Sequence, residues 1–184
     1  MIFGFSGAEV TGKTTLVNGL ADKLNEMGYR TVIVPDTSKQ ILAEWRIPYE
    51  DIAHDYDLSK EFFRETIKRC LYYTHKYMSD KDIDIILSDT TPYDYMVYAM
   101  LLRKINFLAE VVSRFCFDIY YDALFLVSPV PDINAQYKTE EIIGQWHVHQ
   151  VMSEMLPIDY HVSPLPIERR VEKVLTILTE DEFI

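Results

Sequence analysis

A chain of 184 residues with 48% hydrophobic side chains can bury a full core without disulfide or metal staples, and its simplest organisation is one domain over residues 1–184. The 18 basic and 29 acidic residues leave a net charge of −11, which disfavours a polyanion such as DNA as partner and leaves small anionic ligands open. No apolar run reaches the ~18 residues needed to cross a bilayer and the N-terminus lacks a basic-then-apolar signal, so a cytoplasmic location with no membrane partner is expected.

Met1 to Phe5 reads as a short buried strand, and the stretch that follows it, Ser6 to Thr15, carries the chain's most specific motif. Gly7, Gly12, Lys13 and Thr14 fit the spacing Gly, four residues, Gly-Lys-Ser/Thr, a phosphate-binding P-loop. Its glycines let backbone N–H groups approach phosphate oxygens, Lys13 adds a mobile positive charge, and the Thr14 hydroxyl is suited to ligate Mg²⁺. The expected cofactor-binding set is therefore Gly7, Ala8, Glu9, Val10, Thr11, Gly12, Lys13, Thr14 and Thr15. Behind the loop, Leu16, Val17, Leu20, Leu24 and Met27 recur at helical spacing, with Gly28 placed as the stop. Strand, glycine loop and helix follow in the order a working P-loop requires.

Arg30 to Pro35 reads as a second strand that ends in Asp36. In open α/β sheets ligands collect at the carboxyl ends of strands, so Asp36 is a candidate for acceptor contact or catalysis; it is equally placed to cap a helix over 38–45. Residues 46–57 show no period and read as an exposed connection. A long helix is expected over 58–80, with Phe63, Ile67, Cys70, Leu71, Thr74 and Met78 on its apolar stripe. Arg64, Lys68, Arg69, Tyr72 and His75 lie off that stripe, either as a solvated face or as a basic face toward an anionic substrate.

Ile83 to Asp89 is a third strand closed by an acid, which resembles the Walker B arrangement whose carboxylate stands beside the P-loop and helps to hold Mg²⁺. Thr90-Thr91-Pro92 starts a helix, and Tyr93, Tyr95, Met96, Tyr98 and Met100 within it read as core. A helix over 106–120, a fourth strand over 123–128, a polar loop over 129–139 and a helix over 140–155 follow. His147 and His149, two apart, share no helix face and form no metal pair. A short fifth strand over 158–162 leads to a last helix lined by Ile167, Val171, Val174, Leu175 and Leu178, with Arg169 and Arg170 at its start. Cys70 and Cys116 read as buried free thiols. Alternating strands and helices imply parallel pairing and a three-layer α/β/α architecture.

The Gly7–Thr15 loop, Asp36 after the second strand, Ser88 to Tyr95 after the third and Pro166 to Val171 before the last helix together resemble the P-loop kinases of nucleosides and nucleotides. That broad group includes thymidylate-kinase-like and ribosylnicotinamide-kinase-like proteins. The resemblance covers nearly the whole chain. It implies a P-loop NTPase fold with a five-stranded parallel sheet in the order 2-3-1-4-5, and ATP and Mg²⁺ as cofactors. It implies a catalytic set of Lys13, Asp36 and Asp89, with Thr14 and Asp89 as the metal residues. The family's third-strand motif often reads Asp-Arg; here Thr90 follows Asp89, so Lys39, Arg64 or Arg69 would have to grip an anionic acceptor. Residues 129–155 correspond to the family's lid, which usually supplies arginines and here offers only Lys138. A small nucleoside or nucleotide acceptor is the expected partner, and the sequence leaves room for a homodimer. A kinase acting on a modified base or hydroxyl in DNA, a stand-alone ATPase and a nucleotide-binding module are the alternatives.

Overall fold

The structure is a computed structural model that describes residues 1–101, 120–129 and 139–184, with the side chains of 139–142 left aside. Strand β1 (Ile2–Ser6) is followed by α1 (Lys13–Glu26), β2 (Thr31–Val34), α2 (Thr37–Trp45), α3 (Tyr49–His54) and α4 (Tyr56–Met78). Then come β3 (Ile85–Ser88), α5 (Pro92–Leu101), β4 (Ala123–Val127), α6 (Thr139–Met155), β5 (Tyr160–Val162) and α7 (Ile167–Glu180). The helix expected over 106–120, Cys116, Lys138 and nearly all of the loop over 129–139 lie outside the described residues.

The five strands pair in parallel in the order β2-β3-β1-β4-β5, which is the topology the family resemblance implies. Side chains alternate across the sheet. Phe3, Phe5, Leu87, Phe125 and Val127 face α1 and α7, where Leu16, Leu20, Val174 and Leu178 complete the core. Phe5 and Phe125 stack on neighbouring strands with centroids 5.1 Å apart. On the other face Ile2, Ile86 and Val34 meet Cys70 of α4, and Leu126 meets Val97 of α5 and Met152 of α6. At the centre of that face Gly4 leaves room for Leu124, whose Cδ1 would lie 2.7 Å from an added Cβ and would have to shift.

Local chemistry explains two of the element ends, of which the sequence foretells the one at Gly28. Gly28 (φ +97°) closes α1 with paired bonds from Gly28 N to Asn25 O and from Tyr29 N to Leu24 O, the Schellman pattern. Asp55 caps α4 by accepting Leu58 N at 2.9 Å. Two expectations are corrected. Residues 46–57 are not a bare connection, since they hold α3, whose Ile52 is fully buried against Phe62 and Phe63. Met27 and Met78, expected on apolar stripes, lie exposed at helix ends, while Phe62 and Thr66 take places on the buried face of α4.

Candidate active site

The carboxyl ends of β1, β2 and β3 converge on one cleft. The P-loop leaves β1 through Gly7, and a Cβ at that position would stand 2.7 Å from Val127 O, so only glycine lets the loop back so closely onto β4. Gly12 (φ +82°) and Val10 (φ +59°) both take left-handed backbone. For a β-branched residue that conformation is strained, and such strain persists only where the surroundings enforce it. Lys13 folds its ammonium over the loop, donating to Gly7 O at 2.6 Å and Ala8 O at 2.8 Å, while the Thr11 hydroxyl donates to Ala8 O.

Asp94, which the sequence reading passed over, anchors the loop from the sheet's opposite layer. Its carboxylate is fully buried and accepts the Gly7 N–H on Oδ1 at 2.9 Å. On Oδ2 it accepts the Ser6 hydroxyl at 2.9 Å and both the hydroxyl and N–H of Thr91 at 2.8 Å. Burial raises its pKa; the Lys13 charge and the bonds from Gly7 and Thr91 oppose that rise. The local signal was present as Thr91-Pro92-Tyr93-Asp94, a capping box in which the acid three residues on returns to the cap's own N–H. What the spacing could not show is the reach from Asp94 to Gly7, across 87 positions of chain.

Asp89 follows β3 and lies beside the P-loop helix. It is 4% exposed, and burial lifts its pKa to about 6, with the Thr14 hydroxyl and the Lys13 charge working the other way. Its Oδ1 is buried and has no hydrogen-bond partner among the described residues. A buried carboxylate oxygen without a partner, beside a threonine hydroxyl, offers the kind of oxygen ligands a hard divalent cation takes. Among the described residues there is no cluster of three or more His, Cys, Asp or Glu side chains; Thr14 and Asp89 are the pair that could hold a metal ion together with oxygens from a ligand.

Asp36 caps a helix and also lines the cleft. It caps α2 by accepting Ser38 N on Oδ1 at 3.0 Å, with the Ser38 hydroxyl at 2.5 Å. The same oxygen accepts the Tyr95 hydroxyl at 3.2 Å, and the exposed Lys39 ammonium stands 3.3 Å from Oδ2. Tyr95 and Tyr98, expected simply as core, therefore also line the site: the Tyr98 hydroxyl accepts the Glu9 N–H at 3.0 Å. Both phenols are pushed well above their ordinary range, first by burial and then by Asp36 for Tyr95 and Glu9 for Tyr98.

A narrow cleft of about 40 Å³ runs from Gly7 and Lys13 to Asp36, with Asp94 at its base and Phe62 and Phe63 in its wall. It shares Glu9, Tyr49 and Tyr98 with a larger, mostly apolar cavity of about 430 Å³ that reaches to Gln145 and Val148 of α6. Neither is lined by Arg64, Arg69 or Lys39. Arg69 instead bridges Glu44 at 2.7 Å and Glu65 at 2.8 Å, which ties α4 to α2, and Arg64 projects from an exposed position on α4.

The family model described as AAA domain matches residues 3–172. No curated protein matches the chain by sequence. Among solved structures the chain is similar to deoxyadenosine kinase from M. mycoides with products dCMP and a flexible dCDP bound, at 13% identity and a TM-score of 0.68, over 98% of this chain and 100% of that one. It is also similar to the NadR protein in complex with NAD and AMP-PNP, at 15% identity and a TM-score of 0.71, over 97% of this chain and 48% of that one. The chain thus spans about half the length of NadR. With 170 consecutive residues matched and the sheet order of these neighbours reproduced, the chain belongs to the AAA-domain family and has the fold of the P-loop nucleoside and nucleotide kinases.

Proposed function

We propose that the protein is a phosphotransferase that moves the γ-phosphoryl group of ATP to a hydroxyl of a nucleoside or a related small acceptor. The observation that carries this reading is that Lys13 and Asp36 line the same narrow cleft, so a triphosphate on the loop and a hydroxyl at Asp36 would share one reaction space. Phosphoryl transfer asks the protein chiefly for positioning and charge neutralisation, which Asp36 and Lys13 would supply.

The Gly7–Thr14 backbone and the Lys13 ammonium would hold the β- and γ-phosphates, Lys13 turning from the Gly7 and Ala8 carbonyls to the phosphate oxygens. Mg²⁺ held by Thr14 and Asp89 would neutralise phosphate charge and fix the donor's geometry. Asp36, itself oriented by the Tyr95 hydroxyl, would accept a hydrogen bond from the acceptor hydroxyl and aim it at the γ-phosphorus. The 40 Å³ cleft has room for reacting groups and none for a ring, whereas 430 Å³ lies within the usual size of small-ligand pockets. A planar base or comparable ring would therefore sit against Tyr49 and Tyr98 toward α6. Lys13 is the one cation among the described residues of these two linings, which favours a neutral hydroxyl acceptor over a monophosphate that would need its own charge partner.

A transfer screen with γ-labelled Mg-ATP against nucleosides, deoxynucleoside monophosphates and hydroxymethyl-base DNA tests this reading. Label in a nucleoside is the expected result. Label in DNA alone would replace the small acceptor with a nucleic-acid one, and phosphate release without a labelled acceptor would leave an ATPase.

A further inference from the structure

Arg170 stands in the first turn of α7, on the face that also buries Val171, Val174 and Leu178, and it is 0% exposed. Its three donor nitrogens each take a backbone carbonyl from a different segment: Nε to Leu165 O at 2.8 Å, one terminal nitrogen to Thr11 O at 2.8 Å and the other to Ser128 O at 2.9 Å. Among the described residues no carboxylate pairs with it, and burial alone acts on its pKa, lowering it to about 10, which keeps the guanidinium charged at neutral pH. A buried charge without a counter-charge is costly, and an apolar side chain of similar size would fill the space at less cost. The three carbonyls say what the charge is for.

Thr11 lies in the phosphate loop, Ser128 just beyond β4 at the place where Val127 O backs onto Gly7, and Leu165 in the segment leading into α7. In a trans peptide the C=O and the following N–H point in opposite directions. Holding Thr11 O toward Arg170 therefore turns the Gly12 N–H away from Arg170, at the residue (φ +82°) that caps the start of α1. Asp94 fixes the first N–H of the loop from one side of the sheet, and Arg170 fixes its far end from the other.

We propose that Arg170 is a positioning residue for polyphosphate binding: it sets the Thr11–Gly12 peptide so that the loop presents its N–H groups to a polyphosphate, and its unpaired charge adds to the attraction. This inference rests on the P-loop being a phosphate site, as in the proposed function, and not on which acceptor is used.

Calorimetric titration of the full chain with magnesium tripolyphosphate, beside thermal unfolding, tests it in the wild type, Arg170→Lys and Arg170→Met. Lysine keeps the charge and gives up the three-way fork; methionine gives up both. The expected Kd rises by about threefold in Arg170→Lys and by at least roughly tenfold in Arg170→Met, with far-UV circular dichroism unchanged. A merely structural Arg170 would lower the unfolding temperature of both variants and leave Kd at the wild-type value, which overturns the proposal. Where Arg170→Met fails to fold, Arg170→Lys carries the test, and an unchanged Kd in it is equally decisive. A wild type that does not bind tripolyphosphate overturns the phosphate-loop reading itself, and this inference with it.

Discussion

The buried Asp94 carboxylate accepts the Gly7 N–H at 2.9 Å, joining the first turn of α5 to the first residue of the phosphate loop. Through Ser6 and Thr91 the same carboxylate ties the end of β1 to the cap of α5. Asp94→Asn keeps the size but places an amide donor where only acceptors fit. The expected loss is about 1–3 kcal/mol of stability from the unsatisfied buried groups, read as a fall of several degrees in the unfolding temperature. Mg-ATP affinity should weaken in the folded variant. Unchanged melting and unchanged binding would mean that the loop holds its shape without this anchor.

Asp89 gives a pH dependence whose sign is fixed by its raised pKa. Folded, it titrates at about 6; unfolded, near the ordinary aspartate value of about 4. Between those values the folded state binds more protons, so this carboxyl lowers stability as pH climbs from about 4 to about 6, and Asp94 acts in the same direction. Asp89→Asn should flatten part of that slope. A bound cation favours the ionised carboxylate, so affinity for Mg-nucleotide should rise as pH passes through about 6 in the wild type and lose that dependence in the variant. A flat wild-type profile between pH 5 and 7 would remove Asp89 from the metal site.

Asp36 combines a cap and a proposed acceptor contact, and two substitutions separate them. Asn is as good a cap as Asp, so Asp36→Asn should fold with near wild-type stability while transfer falls and Mg-ATP binding holds. Asp36→Ala should in addition lose about 0.5–2 kcal/mol of stability with the cap. Equal loss of transfer and nucleotide binding in the Asn variant would reduce Asp36 to its structural role.

Much of this fold was legible because its signals are local. The Gly7–Thr14 spacing, the apolar strands and Gly28 each announce themselves within a few residues, and the strand order followed from the family resemblance. The features missed depend on distant partners or on broken patterns. α3 is short and begins after Pro48, so six residues gave no period to detect even though Ile52 is core. Asp94 showed only its cap. Arg170 fell on the apolar face of α7 between Ile167 and Val171, and a cation in such a stripe is a readable sign of a buried polar contact. Arg69 illustrates the opposite error: Glu65, four residues before it on α4, is a neighbour that helical spacing does reveal, whereas Glu44 on α2 is not.

Gly7→Ala tests the close approach of loop and sheet. The added Cβ would stand 2.7 Å from the Val127 carbonyl, a backbone atom that cannot swing aside, so either β4 or the loop must shift. Nucleotide binding should be lost, and stability should drop by about 1–3 kcal/mol as for overpacked interiors.

The most direct measurement is transfer of the γ-phosphoryl group from Mg-ATP to a nucleoside, compared between the wild type and Lys13→Ala with folding checked by circular dichroism. Removing an electrostatic group of this kind should lower the rate by roughly a hundredfold or more. Label on the nucleoside with the wild type, and none above background with the variant, is the result this structure predicts. Equal transfer by both proteins, or no transfer by the wild type to any acceptor, would contradict the assignment of the Gly7–Thr14 loop as a phosphotransfer site.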